Sequence, residues 1–339
     1  MEVRTRSLNP PSRLTCLVTG GAGYIGGHTV LALLDAGHQV VVLDDLSTGF
    51  RWSVPNNAKL IVGDVGDFDL VCRVIRTEKI TSILHFAAKT VVSDSFRDPL
   101  GYYLTNAVKT QTLLAAAASE TISNFIFSST AAVYKSSESL VSETQNVQPQ
   151  SPYGRSKYMA ECMIKDVGAA HNMRYAILRY FNVAGADPKG RNGQSTKNAT
   201  HLIKVAIETA LGKRACMEIF GNDYPTVDGF AVRDYIHVAD LANAHVLALN
   251  RLQEGSESLT VNCGYGRGYS VREVVDVVKA VTGHDFEIRL APRRTGDLAS
   301  VVANSEQLRS VGWIPHYDEL PTIVRHAYQW ELELASERR

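Results

Sequence analysis

Short apolar segments alternate with amphipathic stretches along the first half of the chain. Strands are predicted at Leu14 to Thr19, Gln39 to Leu43, Leu60 to Gly63, Ser82 to Ala87, Asn124 to Ser128 and Arg174 to Arg179. Helices are predicted at Tyr24 to Ala36, Phe68 to Glu78, Leu100 to Ser119 and Tyr153 to His171. The strands are continuously apolar, which is typical of a parallel sheet that helices cover on both faces. The pattern therefore predicts an α/β fold with a doubly wound, Rossmann-like sheet.

After Phe181 the alternation gives way to a polar, glycine-rich stretch, and we expect a smaller C-terminal lobe to begin there. Further helices are predicted near Thr200 to Leu211, Val238 to Arg251 and Val271 to Thr282, with a strand near Ser258 to Asn262. The predicted organisation is a disordered tail over residues 1–13, a first domain over 14–181 and a lobe over 182–339. Part of that lobe, about 238–265, is expected to return to the first domain.

Composition narrows the possible classes of protein. The chain has 339 residues, 45% of them hydrophobic, with 35 Lys and Arg against 35 Asp and Glu. A disordered chain is excluded, and a formal net charge of zero gives no support for broad binding to nucleic acid or to a membrane surface. No apolar run reaches the roughly 18 residues of a membrane span. Five scattered cysteines without a C-x-x-C pair predict reduced thiols, no metal site and a cytoplasmic location.

The first strand leads directly into a glycine-rich turn with Gly20, Gly23 and Gly26 at the start of a helix. Glycine permits the tight turn and the close approach of a pyrophosphate, while the helix N-terminus offers free N–H groups to the anion. Asp44 ends the second strand, where an acidic residue would accept hydrogen bonds from an adenosine ribose and repel a 2′-phosphate. These features predict NAD rather than NADP. Asp64 ends the third strand and could reach the adenine or cap a helix.

Tyr153 and Lys157 are four residues apart, so a helix places them on one face, one turn apart. An ammonium beside a phenol lowers the pKa of the phenol and makes it a better base. This pair alone is common on helices. Thr130 favours a functional interpretation of the pair, because it follows a buried strand and is expected at the carboxyl edge of the sheet, where ligands bind. A hydroxyl, a Tyr and a Lys downstream of a dinucleotide turn predict oxidation of an alcohol by hydride transfer.

The residues above resemble the UDP-hexose 4-epimerases, a family of the extended short-chain dehydrogenase/reductase superfamily. The resemblance covers nearly the whole chain after residue 13 and is carried by VTGGAGYIGGHT from Val18, LHFAAK from Leu84, FSSTAAVY from Phe127, SPYGRSKYMAE from Ser151, LRYFNVAGA from Leu178, IFGNDYPTVDGFAVRDYIHVADLANAH from Ile219 and RRTGDLASVVAN from Arg293. It implies an enzyme that inverts C4 of UDP-glucose or UDP-galactose through a transient 4-keto sugar, with NAD as cofactor. Tyr153 would be the base and acid, aided by Thr130 and Lys157.

The resemblance also implies ligand contacts and a homodimer formed through the helices at Leu100 to Ser119 and Tyr153 to His171. The implied NAD contacts are Gly20, Gly23, Tyr24, Ile25, Gly26, Asp44, Asp64, Val65, Phe86, Ala87, Ala88, Asn106, Tyr153 and Lys157. The implied contacts to the UDP-sugar are Thr130, Asn182, His201, Leu202, Glu218, Phe220, Arg233, Arg294, Asp297 and Val301, with Glu218 and Phe220 acting through their backbone.

Three departures from the family pattern leave details open. His201 stands where the family pattern has Asn, Lys89 precedes the position of a cofactor-contacting Lys that Thr90 fills, and Val301 stands where some members have Tyr. Because Val301 leaves room beside the sugar, UDP-N-acetylhexosamine is an alternative substrate, and a UDP-pentose is another. A dehydratase is disfavoured because no carboxylate follows Thr130 directly. A non-catalytic NAD-binding scaffold is disfavoured by the intact Thr, Tyr and Lys.

Overall fold

A computed structural model describes residues 14–137, 139–197 and 199–336. The predicted N-terminal tail, residues 1–13, lies outside the described residues. The strands are β1 (Thr15–Thr19), β2 (Gln39–Asp44), β3 (Lys59–Val62), β4 (Ser82–His85), β5 (Asn124–Thr130), β6 (Arg174–Tyr180), β7 (Asn182–Ala184), β8 (Met217–Phe220), β9 (Val232–His237), β10 (Leu259–Cys263), β11 (Gly268–Ser270), β12 (Ile288–Ala291) and β13 (Ser300–Val301).

Helices surround these strands. They are α1 (Tyr24–Asp35), α2 (Phe68–Glu78), α3 (Val92–Arg97), α4 (Pro99–Tyr103), α5 (Lys109–Ser119), α6 (Pro152–His171), α7 (Leu202–Ala210), α8 (Val238–Gln253), α9 (Val271–Thr282), α10 (Glu306–Ser310) and α11 (Leu320–Ser336). A π-helical turn at Leu104–Val108 joins α4 to α5, and short 3₁₀ turns lie at Arg51–Ser53 and Ala131–Val133.

The predicted doubly wound sheet is confirmed. Seven parallel strands lie in the order β10-β6-β5-β4-β1-β2-β3. One face packs against α1 and α8 around residues such as Val18, Leu33 and Leu249, and the other packs against α2, α5 and α6 around residues such as Leu113 and Phe125. With both faces covered, the central strands are buried along their length, which explains their unbroken apolar runs.

Two features of the observed elements differ from the sequence prediction. The single helix expected from Leu100 to Ser119 is divided by the π-helical turn. The spacing of apolar residues does not reveal this turn, because the backbone remains helical and right-handed through it. The prediction also omitted several short strands of the second lobe. Strands of two to six residues are too short to show a reliable alternation.

The second lobe contains two small sheets. In one, β9 lies between β11 and β13 and also pairs with β7, and in the other β8 pairs with β12. Helices α7, α9 and α11 enclose its apolar core. Between these parts the chain visits the large sheet again: α8 packs on α1, and β10 extends the sheet beside β6.

Helix α11 forms hydrogen bonds to α7 and to the segments on either side of α7. The Glu331 carboxylate accepts hydrogen bonds from the ammonium groups of Lys204 and Lys213, the latter at 2.9 Å. The neighbouring Trp330 indole donates to Ser195 Oγ at 3.1 Å and packs against Gly193, where an added Cβ would meet the ring at 2.2 Å. The last helix therefore shapes the polar segment that faces the cleft described below.

No helix within residues 14–137, 139–197 and 199–336 is both long and apolar enough to cross a membrane.

We expect Glu331→Ala to lower the free energy of unfolding by about 3–5 kcal/mol, because it leaves the buried Lys204 ammonium without its main partner. The double variant Lys204→Met/Glu331→Leu should recover much of this loss, since the buried Lys204 charge is removed and Lys213, which also loses its partner, is 36% exposed and can be solvated by water. Chemical denaturation followed by circular dichroism measures both. Glu78→Gln, which breaks the exposed pair with Lys59, serves as a control with a loss below about 1 kcal/mol. Equal losses from Glu331→Ala and Glu78→Gln would contradict the assignment.

Candidate active site

A cleft of about 1220 Å³ lies between the carboxyl edge of the seven-stranded sheet and the second lobe. It brings together residues that are far apart in the chain. Those predicted from the sequence that line it are Gly20, Gly23, Tyr24, Ile25, Gly26, Asp44, Asp64, Val65, Phe86, Ala87, Ala88, Thr130, Tyr153, Lys157, Asn182, His201, Arg233, Asp297 and Val301.

The glycine-rich turn crosses the end of β4 with no room for side chains. Gly20 has a φ of +71°, and a Cβ there would lie 2.5 Å from the backbone nitrogen of Ala87. A Cβ on Gly26 would lie 2.2 Å from the carbonyl oxygen of Gly20. Gly23 caps α1 without a side-chain hydrogen bond, so the first N–H groups of the helix remain available to a ligand. This arrangement suits the pyrophosphate of a dinucleotide.

Asp44 is oriented by the same turn. Its carboxylate accepts hydrogen bonds from the N–H groups of Ala22 at 2.9 Å and Leu46 at 2.8 Å, which hold it at the end of β2 beside the cleft. Burial raises the pKa of this carboxyl group, and the two N–H groups act in the opposite direction. A carboxylate has about four lone-pair positions, so acceptor capacity remains for ribose hydroxyls.

Asp64 lies farther along the same wall. It forms an ion pair with Lys109 at 2.5 Å and accepts a hydrogen bond from the N–H of Gly66 at 2.8 Å. A carboxylate therefore faces the cleft at the carboxyl end of β2 and another just after β3, but Asp64 already has a cationic partner. Both of its oxygen atoms already accept one hydrogen bond, and their remaining lone pairs can still accept from a bound base.

Tyr153 and Lys157 lie in the first two turns of α6 and are almost fully buried, with 6% and 3% of their surfaces exposed. The Lys157 ammonium lies 4.3 Å from the centre of the Phe127 ring, and no hydrogen-bond acceptor for it is present among the described residues. Burial lowers the pKa of Lys157 to about 7, while the carboxylate of Glu161 acts in the opposite direction. A buried ammonium with free donors at the wall of a cleft is suited to bind ribose hydroxyls.

The expected lowering of the Tyr153 pKa is not observed. Burial raises this pKa, and a hydrogen bond from the Thr130 hydroxyl opposes the increase. Lys157 is not among the groups that act on this pKa, and its ammonium lies over the Phe127 ring. Thr130 lies at the end of β5, as predicted, and its Oγ1 also accepts from the N–H of Ala132 at 3.1 Å. The hydroxyl is therefore anchored on one side and directed to the phenol on the other.

Five of the predicted contacts do not line the cleft. Asn106 lies behind its wall, where its side chain bonds both the N–H of Lys89 at 2.8 Å and the carbonyl of Lys89 at 3.0 Å. Asn106 thus supports the backbone of the wall instead of facing a ligand. The other four, Leu202, Glu218, Phe220 and Arg294, lie in α7, in β8 and in the segment after β12.

Arg294 has a neighbour that explains its position. Its guanidinium stacks on the Phe220 ring, 3.6 Å from the ring centre. Gly296 and Asp297, which follow it in the chain, do line the cleft. The stacked pair therefore flanks the cleft at the second lobe.

Several lining residues were not identified from the sequence. Tyr180 ends β6 and its hydroxyl bonds Ser128 of β5, so both lie at the same carboxyl edge as Thr130. The rule that placed Thr130 could have found them. Two further examples, Gln194 and Lys197, lie in the polar segment before α7, where no periodic pattern predicts a position. Gln194 lies 2.6 Å from the ring of the exposed His201, which therefore has a partner within the chain.

Comparison with known proteins agrees with this geometry. The model of the NAD dependent epimerase/dehydratase family matches residues 16–264. The chain belongs to this family. It is similar to the UDP-glucose 4-epimerase of Azospirillum brasilense, with 51% identity over 94% of this chain and 92% of that protein.

Two solved structures are also similar to the chain. The UDP-glucose 4-epimerase of Brucella ovis, in complex with NAD, has 39% identity and a TM-score of 0.90 over 93% of this chain and 98% of its own. The UDP-Glc/GlcNAc 4-epimerase of Campylobacter jejuni has 42% identity and a TM-score of 0.82 over 94% of this chain and 99% of its own. These values confirm the family indicated by the sequence motifs.

We expect Asp44→Asn to weaken NAD binding by about tenfold to a hundredfold, because hydrogen bonds to a charged group contribute about 1.5–3 kcal/mol. The same change should reduce discrimination against NADP, since the carboxylate no longer repels a 2′-phosphate. Isothermal titration of protein stripped of nucleotide measures both affinities. Asp276→Asn, on the exposed face of α9, is the control and should leave both unchanged. Unaltered NAD affinity in Asp44→Asn would remove Asp44 from the ribose site.

Proposed function

We propose that this protein is a UDP-glucose 4-epimerase, which interconverts UDP-glucose and UDP-galactose with NAD as its cofactor. The observation that carries the proposal is that Thr130, Tyr153 and Lys157 share one cleft with a glycine-rich dinucleotide turn. The family and the relatives named above support the same reaction. An enzyme that inverts one carbon needs one base that can also return the proton, and this cleft offers such a group.

The proposed base is Tyr153, with Thr130 as the group that links it to the sugar. Tyr153 would remove the proton from the 4-hydroxyl and later return a proton to the 4-keto oxygen. The Thr130 hydroxyl can accept from the sugar and donate to the phenol, and it acts to lower the pKa of Tyr153. Lys157 would hold the nicotinamide ribose and stabilise phenolate through its positive charge.

The cleft fits NAD on the evidence of its own residues: glycines that leave no room for a Cβ, a carboxylate at the end of β2 and an ammonium with free donors. When bound, NAD supplies an acceptor for the hydride at C4 and gives it back, so the reaction has no net oxidation. Proposed contacts are Gly20, Gly23, Tyr24, Ile25, Gly26, Asp44, Asp64, Val65, Phe86, Ala87, Ala88, Tyr153 and Lys157, with Asn106 acting through the backbone of Lys89.

The second lobe is the proposed site of the UDP group. Arg233 faces the cleft from β9 and can neutralise a diphosphate, while Asp297 can accept from ribose hydroxyls. Asn182 and His201 line the same side, and Val301 borders the sugar. We keep Leu202, Glu218, Phe220 and Arg294 as proposed contacts at the margin of this site, with Glu218 and Phe220 acting through their backbone.

The hexose is favoured over the alternatives considered from the sequence. The curated relatives with 40–51% identity bear the name UDP-glucose 4-epimerase, and each is covered over more than 90% of its length. A dehydratase remains disfavoured, since the residues after Thr130 form a 3₁₀ turn of Ala131, Ala132 and Val133 without a carboxylate. The intact catalytic trio disfavours a non-catalytic scaffold.

We expect Tyr153→Phe to lower kcat for UDP-galactose by about 10²–10⁴-fold, because it removes the only group proposed to exchange the proton. Bound NAD should be retained. Turnover is measured by coupling UDP-glucose formation to a dehydrogenase, and NAD by its absorbance after release. Tyr175→Phe alters a half-buried phenol on β6 away from the cleft and is the control. Unchanged epimerisation in Tyr153→Phe would refute the role given to Tyr153.

We also propose that the protein forms a homodimer through α4, α5 and α6. Leu100, Leu104 and Val108 are spaced four residues apart and are 78%, 53% and 51% exposed, and Met159 of α6 is 47% exposed. Such a row of apolar side chains is typical of an interface. The five cysteines are free thiols, which supports the proposed cytoplasmic location.

The dimer can be tested by sedimentation of Leu104→Glu, which would bury a charge in the proposed interface and should yield monomers at micromolar concentration. Leu290→Glu changes an equally exposed leucine of β12 and should sediment as the wild type does. A wild-type protein that sediments as a monomer would contradict this interface.

A further inference from the structure

A buried ion pair lies directly behind the catalytic residues. Glu161 of α6 and Arg179 of β6 are joined by three hydrogen bonds, from Nε to Oε1 at 2.9 Å and to Oε2 at 3.2 Å, and from Nη2 to Oε2 at 2.5 Å. Their side chains are 0% and 3% exposed. Removing two charges from water costs several kcal/mol for each ion, so the position of this pair needs an explanation beyond stability.

The pair connects the elements that carry the catalytic groups. Glu161 is one turn after Lys157 on α6, and its Oε1 accepts from Ser129 Oγ at 2.5 Å. Ser129 is the residue before Thr130 on β5. The same carboxylate therefore fixes the strand of Thr130 relative to the helix of Tyr153 and Lys157, while Arg179 ties both to β6.

A further hydrogen-bond chain anchors the pair on its far side. Arg179 Nη1 donates to the Tyr134 hydroxyl at 2.8 Å, and that hydroxyl donates to Asn262 Oδ1 at 2.9 Å. Asn262 belongs to β10, which forms one edge of the seven-stranded sheet. The carboxylate of Glu161 is consequently held in one position, as an electrostatic role requires.

Glu161 also supplies negative charge near Lys157. Its carboxylate raises the pKa of Lys157, against the larger effect of burial that brings this pKa to about 7. His85 of β4 also lies near Lys157 and stays neutral, because burial and the Lys157 charge lower the pKa of His85 to about 3.

The other titratable groups near Lys157 do not supply a compensating charge. Tyr153 on the same helix, Tyr180 on β6 and Tyr102 on α4 are phenols whose pKa values are raised by burial. On α3, Asp94 and Arg97 are paired with each other, and on β6 Arg179 is paired with Glu161.

We propose that Glu161 is a positioning residue of the catalytic site, which holds β5 against α6 and places a fixed negative charge one turn from the Lys157 ammonium. This inference rests on the proposed function of Lys157. The ammonium must carry a proton to stabilise phenolate, and burial favours loss of that proton. The Glu161 carboxylate opposes this loss without entering the cleft or touching a ligand.

The first test needs no turnover. A double-mutant cycle of Glu161→Gln and Lys157→Met is measured by chemical denaturation at pH 6 and pH 9. At pH 6 Lys157 is charged and the cycle should show a favourable coupling, whereas at pH 9, above the native pKa, Lys157 is neutral and the coupling should be lost. A coupling that is absent at pH 6, or equal at both pH values, overturns the proposal.

Glu161→Gln leaves the Arg179 charge buried without its partner and could prevent folding. The same cycle is therefore also run in an Arg179→Met background, where Glu161→Gln no longer leaves the Arg179 charge buried without a partner. The pH-dependent coupling to Lys157 should persist there, because it depends on the Glu161 charge and not on Arg179. Its absence in that background would also overturn the proposal.

The second test uses the holoenzyme and UDP-galactose. In Glu161→Gln the alkaline decline of kcat should begin at a pH lower by on the order of one unit, since the ammonium now loses its proton more easily. At pH 6 the loss of kcat should be smaller than at pH 8, since more of the Lys157 ammonium is protonated there. A uniform fall of kcat at all pH values would indicate a merely structural role and contradict the proposal.

Two controls separate the outcomes. Arg179→Met keeps the Glu161 charge and should not move the alkaline decline to lower pH. Glu120→Gln, which breaks a two-bond pair with Arg76 on the surface, should leave the whole profile unchanged. If the wild type fails to epimerise UDP-galactose, the proposed function is wrong, while the denaturation cycle still decides whether Glu161 acts on Lys157.

Discussion

The ends of the parallel strands govern the arrangement of this molecule. Parallel strands all finish at the same edge of a sheet, so whatever follows β1, β2, β4, β5 and β6 must meet there. That constraint joins the glycine-rich turn, Asp44, the backbone from Phe86 to Ala88, and Thr130 in one cleft, although more than 100 residues separate the first from the last. The second lobe completes the cleft by covering this edge, and β10 shows that the two parts are interwoven and not merely adjacent.

The ionisation of groups in the cleft is influenced by charged residues that lie behind its wall. Lys157 has no hydrogen-bond acceptor within the described chain and a pKa lowered by burial, while burial raises the pKa of Tyr153, so burial disfavours the charged form of both proposed catalytic groups. Glu161, held by Arg179 and Ser129, offsets part of that cost at Lys157. Zero net charge is thus compatible with an anionic substrate, because local placement of a few charged groups decides what the cleft binds.

The sequence located most of the cleft but not its electrostatics. Residues at strand ends, such as Thr130, were found because buried strands can be recognised from their apolar runs. The spacing of Tyr153 and Lys157 correctly placed both on one face of α6, yet it did not reveal that the ammonium faces Phe127. In the second lobe, Arg233 lines the cleft whereas the Arg294 guanidinium stacks on Phe220, a difference that depends on how short strands pair.

By itself the sequence determined the α/β class, the dinucleotide turn and the family, because each depends on local residue types at short spacing or on long motifs. Only the tertiary structure decided which predicted residues face the cleft, that Asn106 supports its wall from behind, and that Glu161 is paired with Arg179 and Ser129. Such facts depend on contacts between segments distant in the chain. Burial raises the pKa of Tyr153 and lowers the pKa of Lys157, and burial cannot be read from the spacing of residues along one helix.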